Sequence, residues 1–450
     1  MTLPWWRIGG RSRPERSSAD TPDSAVAVDV AVPIHFRCPI SLDLMKDPVA
    51  LCTGITYDRE SIERWIDSGK STCPVTKREL ADTELIPNHA IRKMIQAWCV
   101  ENRSHGIERI PTPRIPVMPY EVSEACRGIV AAAARGDGRR CGEVVARVRA
   151  WGKESERNRR CVRENGAGDA LATAFECFSR GLVEKHAGFL GELLSLMTWV
   201  YPTCHDGWSR LGTASSRDCI LRFLNSDDLT ARRNAVLVLK EIVSSDYRHR
   251  ESVASAEGMM DALVRIIKEQ ICPAATNASL LSIYNLIGSS ETSSLTRSLE
   301  LGLVHVALDL LVDSDKGTCE RALAVLDLLC DSKEGRELAY SHALTMPILV
   351  KKILRVSNSA TDLSISILWK LLIRKDDQDN GHDEDHRRKR TGLIEAIQIG
   401  GFQKMLVLLQ VGCRDGIKDK VRELLKAMNL YKGEVDCIES SLDLKYIKRG

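Results

Sequence analysis

The sequence predicts a mainly α chain in which a small mixed α/β module precedes an all-α solenoid. Three observations carry this reading. After Tyr120 only Pro202, Pro273 and Pro347 interrupt a pattern of apolar residues that recur at helical spacing almost to the end. Two independent registers in that region repeat every 43 residues or so. Upstream, four prolines in the ten residues from Ile110 to Pro119 set off a shorter segment that mixes brief apolar pieces with two helical patterns.

In chain order, residues 1–32 mix Gly, Arg, Pro, Ser, Asp and Ala without periodicity, the composition of a disordered tail; Trp5 and Trp6 alone suit a short interaction motif. The module occupies residues 33–105. Its Pro48-Val49-Ala50-Leu51 and Ile55-Thr56-Tyr57 pieces, separated by Thr53-Gly54, suit a small hairpin. A first helix has Asp58 as N-cap, Ile62, Trp65 and Ile66 on one face, and Gly69 just past its end. A second opens at Pro87-Asn88 and carries Ile91, Ile95 and Trp98. Residues 106–120 read as a semi-rigid, proline-rich linker.

Helical repeats fill residues 121–435, with 436–450 left as a C-terminal tail. Asn234-Ala235-Val236-Leu237, Asn277-Ala278-Ser279-Leu280, Arg321-Ala322-Leu323-Ala324 and Leu363-Ser364-Ile365-Ser366 align, their second residues 43, 44 and 42 apart. In a second register Gly258, Gly302, Leu344 and Gly400 each precede an apolar helix, at steps of 44, 42 and 56. The long step contains the charged segment 375–390, and removing about fourteen residues there restores the period. Asn165-Gly166-Ala167-Gly168-Asp169-Ala170-Leu171 has the same form. Six or seven units of this length match armadillo or HEAT repeats, in which each unit buries its apolar face only by stacking on its neighbours.

Lys plus Arg total 64 against 61 for Asp plus Glu, a net charge of +3, which gives no global reason to expect nucleic acid or an anionic membrane as partner. The N-terminus has no signal-peptide apolar core, Thr2 stands where myristoylation needs glycine, and no apolar run approaches the ~20 residues of a membrane span. The expectation is a cytoplasmic protein without direct membrane insertion. Its fifteen cysteines are expected to be reduced thiols, without structural disulfides.

Phe36-Arg37-Cys38-Pro39-Ile40-Ser41-Leu42-Asp43-Leu44-Met45-Lys46-Asp47-Pro48-Val49 is followed by Gly54-Ile55-Thr56-Tyr57-Asp58-Arg59, Ile62-Glu63-Arg64-Trp65-Ile66, Thr72-Cys73-Pro74-Val75-Thr76 and Leu85-Ile86-Pro87-Asn88. These five pieces, in this order over about 70 residues, strongly resemble the U-box family. A zinc-binding RING is the alternative. Its sites need four ligands, commonly as Cys-x2-Cys pairs. Here the partners of Cys38 and Cys73 are Ser41 and Thr76, and Cys52, His35 and His89 are too few to complete two sites. Cys38 and Cys73 therefore read as small buried residues, and no metal or cofactor is expected.

The resemblance implies a module that binds a ubiquitin-conjugating enzyme charged with ubiquitin and promotes transfer to a substrate lysine, with no covalent nucleophile of its own. The family's recruiting surface maps onto Ile40 and Leu42 in the first loop, Trp65 on the helix and Pro74 in the second loop; each position also suits a core residue of a small domain. Lys77 falls where many such ligases carry a cation that bonds both conjugating enzyme and ubiquitin, and also suits a solvated lysine. Arg would offer a planar fork there, Lys only a point charge. A thiol-nucleophile mechanism finds no support, since Cys141, Cys161, Cys177 and Cys330 sit at helix-periodic core positions.

A U-box, a proline-rich linker and armadillo-like repeats together resemble the large plant U-box ligase family, and the linker and preceding helix look like its defence- and stress-associated subgroup. The repeats then hold the protein substrate in their groove. An import-receptor reading is weak, because the third helices are expected to carry a mixture such as Arg265, His305, Lys351 and Lys404. Arg387-Arg388-Lys389-Arg390 suits a nuclear-localisation signal or, as the favoured reading, a solvated loop. The competing function classes are a non-enzymatic scaffold with a degenerate U-box, against which the intact Ile40, Trp65 and Pro74 argue, and zinc-dependent nucleic-acid binding, opposed by the missing ligands and near-neutral charge.

Overall fold

The computed structural model describes residues 31–110, 116–181, 183–200, 207–245, 247–288, 293–374 and 382–446. The chain divides into two compact units, one ending at Ile115 and one beginning at Pro116. Trp5, Trp6 and linker residues 111–115 lie outside the described residues.

In the first unit β1 (Pro48–Ala50) and β2 (Thr56–Asp58) form the expected antiparallel hairpin, with Val49 opposite Tyr57. A third strand, β3 (Ile86–Pro87), pairs with the other edge of β1. Helix α1 (Arg59–Asp67) follows β2, and α2 (His89–Glu101) follows β3. Asn88 caps α2, its side chain accepting from Ile91 N at 3.1 Å. Phe36, Met45, Val49, Tyr57, Ile62 and Ile95 form the core. Ile110 joins them, so the linker begins later than residue 106.

Asp58 occupies the N-cap position of α1 without capping it. Its carboxylate turns away and accepts from Lys46 N at 2.8 Å and Asp47 N at 2.9 Å. Asp47 in turn pairs with Arg59 at 2.7 Å and with Arg92 of α2. The ion pairs thus tie the segment before β1 to both helices.

The second unit opens with α3 (Pro119–Ala134) and α4 (Gly138–Glu154). Its first helix starts at Pro119, inside the expected linker, because proline suits the first helical turn, where no amide partner is needed. Six helical triads follow among the described residues: α5–α7 (Glu156–Glu164, Ala167–Ser179, Val183–Val200), α8–α10 (Trp208–Leu211, Ala214–Leu224, Leu229–Ser245), α11–α13 (Tyr247–Ala254, Met259–Glu269, Pro273–Ile287), α14–α16 (Ser293–Glu300, Leu303–Val312, Lys316–Leu329), α17–α19 (Lys333–Ser341, Thr345–Lys352, Asn358–Leu372) and α20–α22 (His382–Gln398, Gly401–Val411, Asp415–Tyr446).

The two sequence registers are the second and third helices of these triads. Gly258, Gly302 and Gly400 hold φ near +79°, +73° and +84°, a left-handed turn that aims each second helix; Leu344 opens its helix at φ −92° and needs no glycine. On the third helices Ala235, Ala278, Ala322 and Ser364 are buried where α10, α13, α16 and α19 stack in sequence. Small side chains let these helices approach closely. The third helices pack against one another more extensively than the second helices do.

Four expectations are corrected. Arg265, His305, Lys351 and Lys404 lie on the second helices α12, α15, α18 and α21, so they do not describe the third-helix face. Arg387 to Arg390 are helical, not loop: the inserted residues lengthen α20 to 17 residues, against 8 or 9 in α11, α14 and α17. Lys389 donates to Arg374 O at 2.8 Å, and the Arg390 guanidinium lies 5.9 Å from the Tyr431 ring. The backbone of the expected C-terminal tail continues α22 as far as Tyr446. Finally, Val32, assigned to the N-terminal tail, packs on the module's core.

Two outcomes follow from this packing. Asp58→Ala strands the Lys46 and Asp47 amides and should destabilise the module by about 2–4 kcal/mol, read as faster hydrogen exchange at those amides; unchanged protection would contradict the bracing role. Gly335 in α17 lies under the end of α16, where an added Cβ would stand 1.9 Å from Leu329 O. Gly335→Ala should therefore lower solenoid stability by about 1–3 kcal/mol, and an unchanged urea midpoint would show that the two helices part freely.

Candidate functional site

The two loops that flank α1 in space are built alike. In the first, Cys38 N donates to Asp43 O and Leu42 N to Cys38 O, both at 2.8 Å. In the second, Cys73 N donates to Arg78 O at 2.8 Å and Lys77 N to Cys73 O at 2.9 Å. The fifth residue of each is left-handed, Leu42 at φ +64° and Lys77 at φ +60°. Neither is glycine, and such a conformation costs about 1 kcal/mol or more at each position. It persists because the surrounding bonds fix it.

Those bonds converge on two adjacent residues of β2. Asp58 serves the first loop: besides its carboxylate bonds, its N–H donates to Cys38 Sγ at 3.3 Å. Tyr57 serves the second: its hydroxyl accepts from Val75 N at 3.3 Å and lies 3.1 Å from Cys73 Sγ. Thr53 Oγ1 also donates to Cys73 Sγ, at 3.4 Å. Burial pushes the Cys73 thiol up, but hydrogen bonds from Thr53, Thr76 and Tyr57 outweigh it and hold the thiol down to about 6. Burial and the neighbouring sulfur push the Tyr57 hydroxyl upward. Cys73 is thus more than the small apolar filler expected from the sequence; it is a hydrogen-bond hub. Ser41 and Thr76 have turn roles, Ser41 Oγ accepting from Asp43 N at 3.4 Å.

The expected recruiting residues divide by exposure. Leu42 is 68% exposed at the crest of the first loop, whereas Ile40, Trp65 and Pro74 are half-buried. Trp65 has a structural task as well: Nε1 donates to Thr72 O at 2.7 Å, fastening α1 to the second loop. Ile40 and Trp65 both pack on the module's core. Sequence reasoning missed Val75, 49% exposed beside Pro74, and Lys70, whose ammonium lies 3.7 Å from the Trp65 ring centroid. The exposed Lys77 lies farther from that ring, at 5.8 Å. The arrangement is an apolar crest on two rigid loops, edged by two lysines.

No activated thiol appears among the cysteines considered as nucleophiles. Cys141 and Cys330 are buried, and burial pushes both up to about 12; Cys161 is half-buried and is also pushed up. Cys177 is half-buried.

On the solenoid, polar side chains link successive third helices. Asn285 reaches Ser244 at 3.4 Å and Arg321 reaches Asn277 at 3.5 Å. Lys370 contacts Asp327 at 3.1 Å and Asp331 at 3.0 Å, and Lys420 donates to Ser366 at 2.8 Å. Trp369 donates to Glu423 at 2.5 Å with Lys420 5.4 Å from its ring. These rungs make the third-helix layer a firm, mixed-charge surface.

Comparison with known proteins bears on both units. A family model of the U-box domain matches residues 32–104, and one of the plant U-box protein ARM repeat region matches residues 121–448. The chain is 43% identical over 446 residues to U-box domain-containing protein 21 of Arabidopsis thaliana, covering 99% of each. It is 31% identical over 428 residues to E3 ubiquitin-protein ligase PUB23 of the same plant, covering 93% of this chain and 98% of that one. Among solved structures, the designed armadillo repeat protein YIII(Dq)4CqI is 14% identical, with a TM-score of 0.44 over 57% of this chain and 99% of its own. With both units matched in their expected order and a relative similar along its whole length, the chain belongs to the plant U-box proteins with ARM repeats.

Proposed function

We propose that the chain is a ubiquitin-protein ligase whose module recruits a ubiquitin-charged conjugating enzyme while its repeats hold a protein substrate. The observation that carries this reading is the pair of strained, braced loops that expose Leu42 and Val75, the second fastened to α1 through Trp65. An apolar crest of this kind suits the apolar loops of a partner enzyme. Full-length similarity to a relative named as a ubiquitin ligase supports it. The ligase contributes proximity and restraint of the thioester, and the incoming substrate lysine is the nucleophile. Lys77, at the edge of the crest, hydrogen-bonds the conjugating enzyme and the donor ubiquitin. The third-helix surface of the repeats reads the substrate, in a cytoplasmic setting, and the linker resemblance suggests a link to defence or stress.

Leu42 separates recruitment from folding. Asn accepts a left-handed backbone more readily than Leu does. Leu42→Asn should therefore leave the module's melting temperature equal or higher while weakening conjugating-enzyme binding about 10-fold or more, as for loss of an interface anchor. Unchanged binding across a panel of conjugating enzymes, with self-ubiquitination intact, would remove the crest from the recruiting surface.

Lys77 tests the transfer step. Lys77→Arg adds a planar fork of donors and should raise the rate of ubiquitin transfer without tightening conjugating-enzyme binding. Equal rates for Lys77→Arg, Lys77→Asn and the parent would assign Lys77 to the solvated surface.

A further inference from the structure

Two other well-held lysines of the solenoid, buried Lys370 and half-buried Lys404, end on oxygen. Lys370 reaches Asp327 and Asp331, and Lys404 donates to Val350 O at 2.8 Å. Lys352 differs. It is the last residue of α18, only 8% exposed, and its Nζ lies 3.2 Å from Sγ of Cys319, which is 1% exposed in the first turn of α16. The same sulfur lies 3.6 Å from Ser314 O, so the thiol directs its hydrogen to that carbonyl and its lone pairs to the amine. Cys141 Sγ instead meets Ile129 O and Cys126 Sγ meets Asn165 O, and burial pushes them up to about 12 and about 11.

A thiol and an amine held this close, 33 residues apart in sequence and in successive triads, form a two-nucleophile site. We propose that Cys319 and Lys352 are a redox-responsive clamp, closed by peroxide into a covalent sulfur–oxygen–nitrogen bridge. The thiol first attacks hydrogen peroxide: an S–O bond forms, the O–O bond breaks, water leaves, and sulfur is oxidised to the sulfenic acid. Lys352, as the amine after releasing one proton to solvent, then joins that oxygen. A second peroxide accepts the two electrons and the two hydrogens lost from N–H and O–H and leaves as two waters. A single bridging oxygen joins the two atoms once the flexible end of Lys352 draws slightly closer to the sulfur than its present 3.2 Å. Dithiols reverse the chemistry, restoring amine, thiol and water with four reducing hydrogens. The clamp fastens the third helix of one triad to the second helix of the next, constraining the unfolded chain as a disulfide does.

The test uses the full chain, treated with hydrogen peroxide, alkylated, digested and mapped by mass spectrometry. Exposed Cys52 reports that oxidant was sufficient. The expected product is a joined pair of peptides containing Cys319 and Lys352, heavier by one oxygen less two hydrogens and released by dithiothreitol. It should be absent from Cys319→Ser and Lys352→Met, and the oxidised parent should melt at a higher temperature than the reduced one. Cys319 carrying only sulfenic or sulfinic acid, Cys319 unmodified at a dose that oxidises Cys52, or a joined product persisting in Lys352→Met would each overturn the proposal. The map of the parent chain decides even if a variant fails to fold.

Discussion

The two braced loops of the module depend on two neighbouring residues of one short strand. Successive strand residues point to opposite sides, so Tyr57 and Asp58 serve different loops from adjacent backbone positions. Asp58 gathers the amides of Lys46 and Asp47 and donates to the Cys38 sulfur; Tyr57 gathers the Val75 amide and the Cys73 sulfur. Each loop then tolerates a left-handed residue that it would otherwise relax. The strain has a use, because the left-handed turn lifts Leu42 out of the core and onto the surface. Folding and the proposed recruitment therefore meet at the same bonds.

The repeats face a different constraint. No triad can bury its apolar face alone, so stability comes from stacking neighbours. Small buried residues at Ala235, Ala278, Ala322 and Ser364 set how closely the third helices approach, and polar rungs such as Lys370 with Asp327 and Asp331 fix their register. Module and solenoid have separate cores. In the proposed function, that separation would let one unit recruit while the other selects.

Much of this was legible in the residues. The repeat period survived because α10, α13, α16 and α19 each bury a small residue at the same crossing, and left-handed turns demanded glycine at Gly258, Gly302 and Gly400. The paired loops were legible through the Cys-Pro pieces and their spacing. What escaped detection lacked a local signal. Strand β3 is two residues long and gains its identity only from pairing with β1. Helix α20 begins in a charge run without apolar periodicity, so its sequence reads as loop. Asp58 has the chemistry of a cap, but tertiary geometry gives its carboxylate two better donors. The exposure of Val75, the lysine over Trp65 and the apposition of Cys319 with Lys352 arise from chain segments meeting in space.

The central claim is that the braced loops make a charged conjugating enzyme more reactive. The most direct measurement is single-turnover discharge of ubiquitin from a panel of purified, charged conjugating enzymes to free lysine, with and without the full chain. The account predicts faster discharge from at least one enzyme, saturating with the concentration of the chain. Discharge at the unassisted rate from every enzyme tested, including any that demonstrably binds the module, would contradict it.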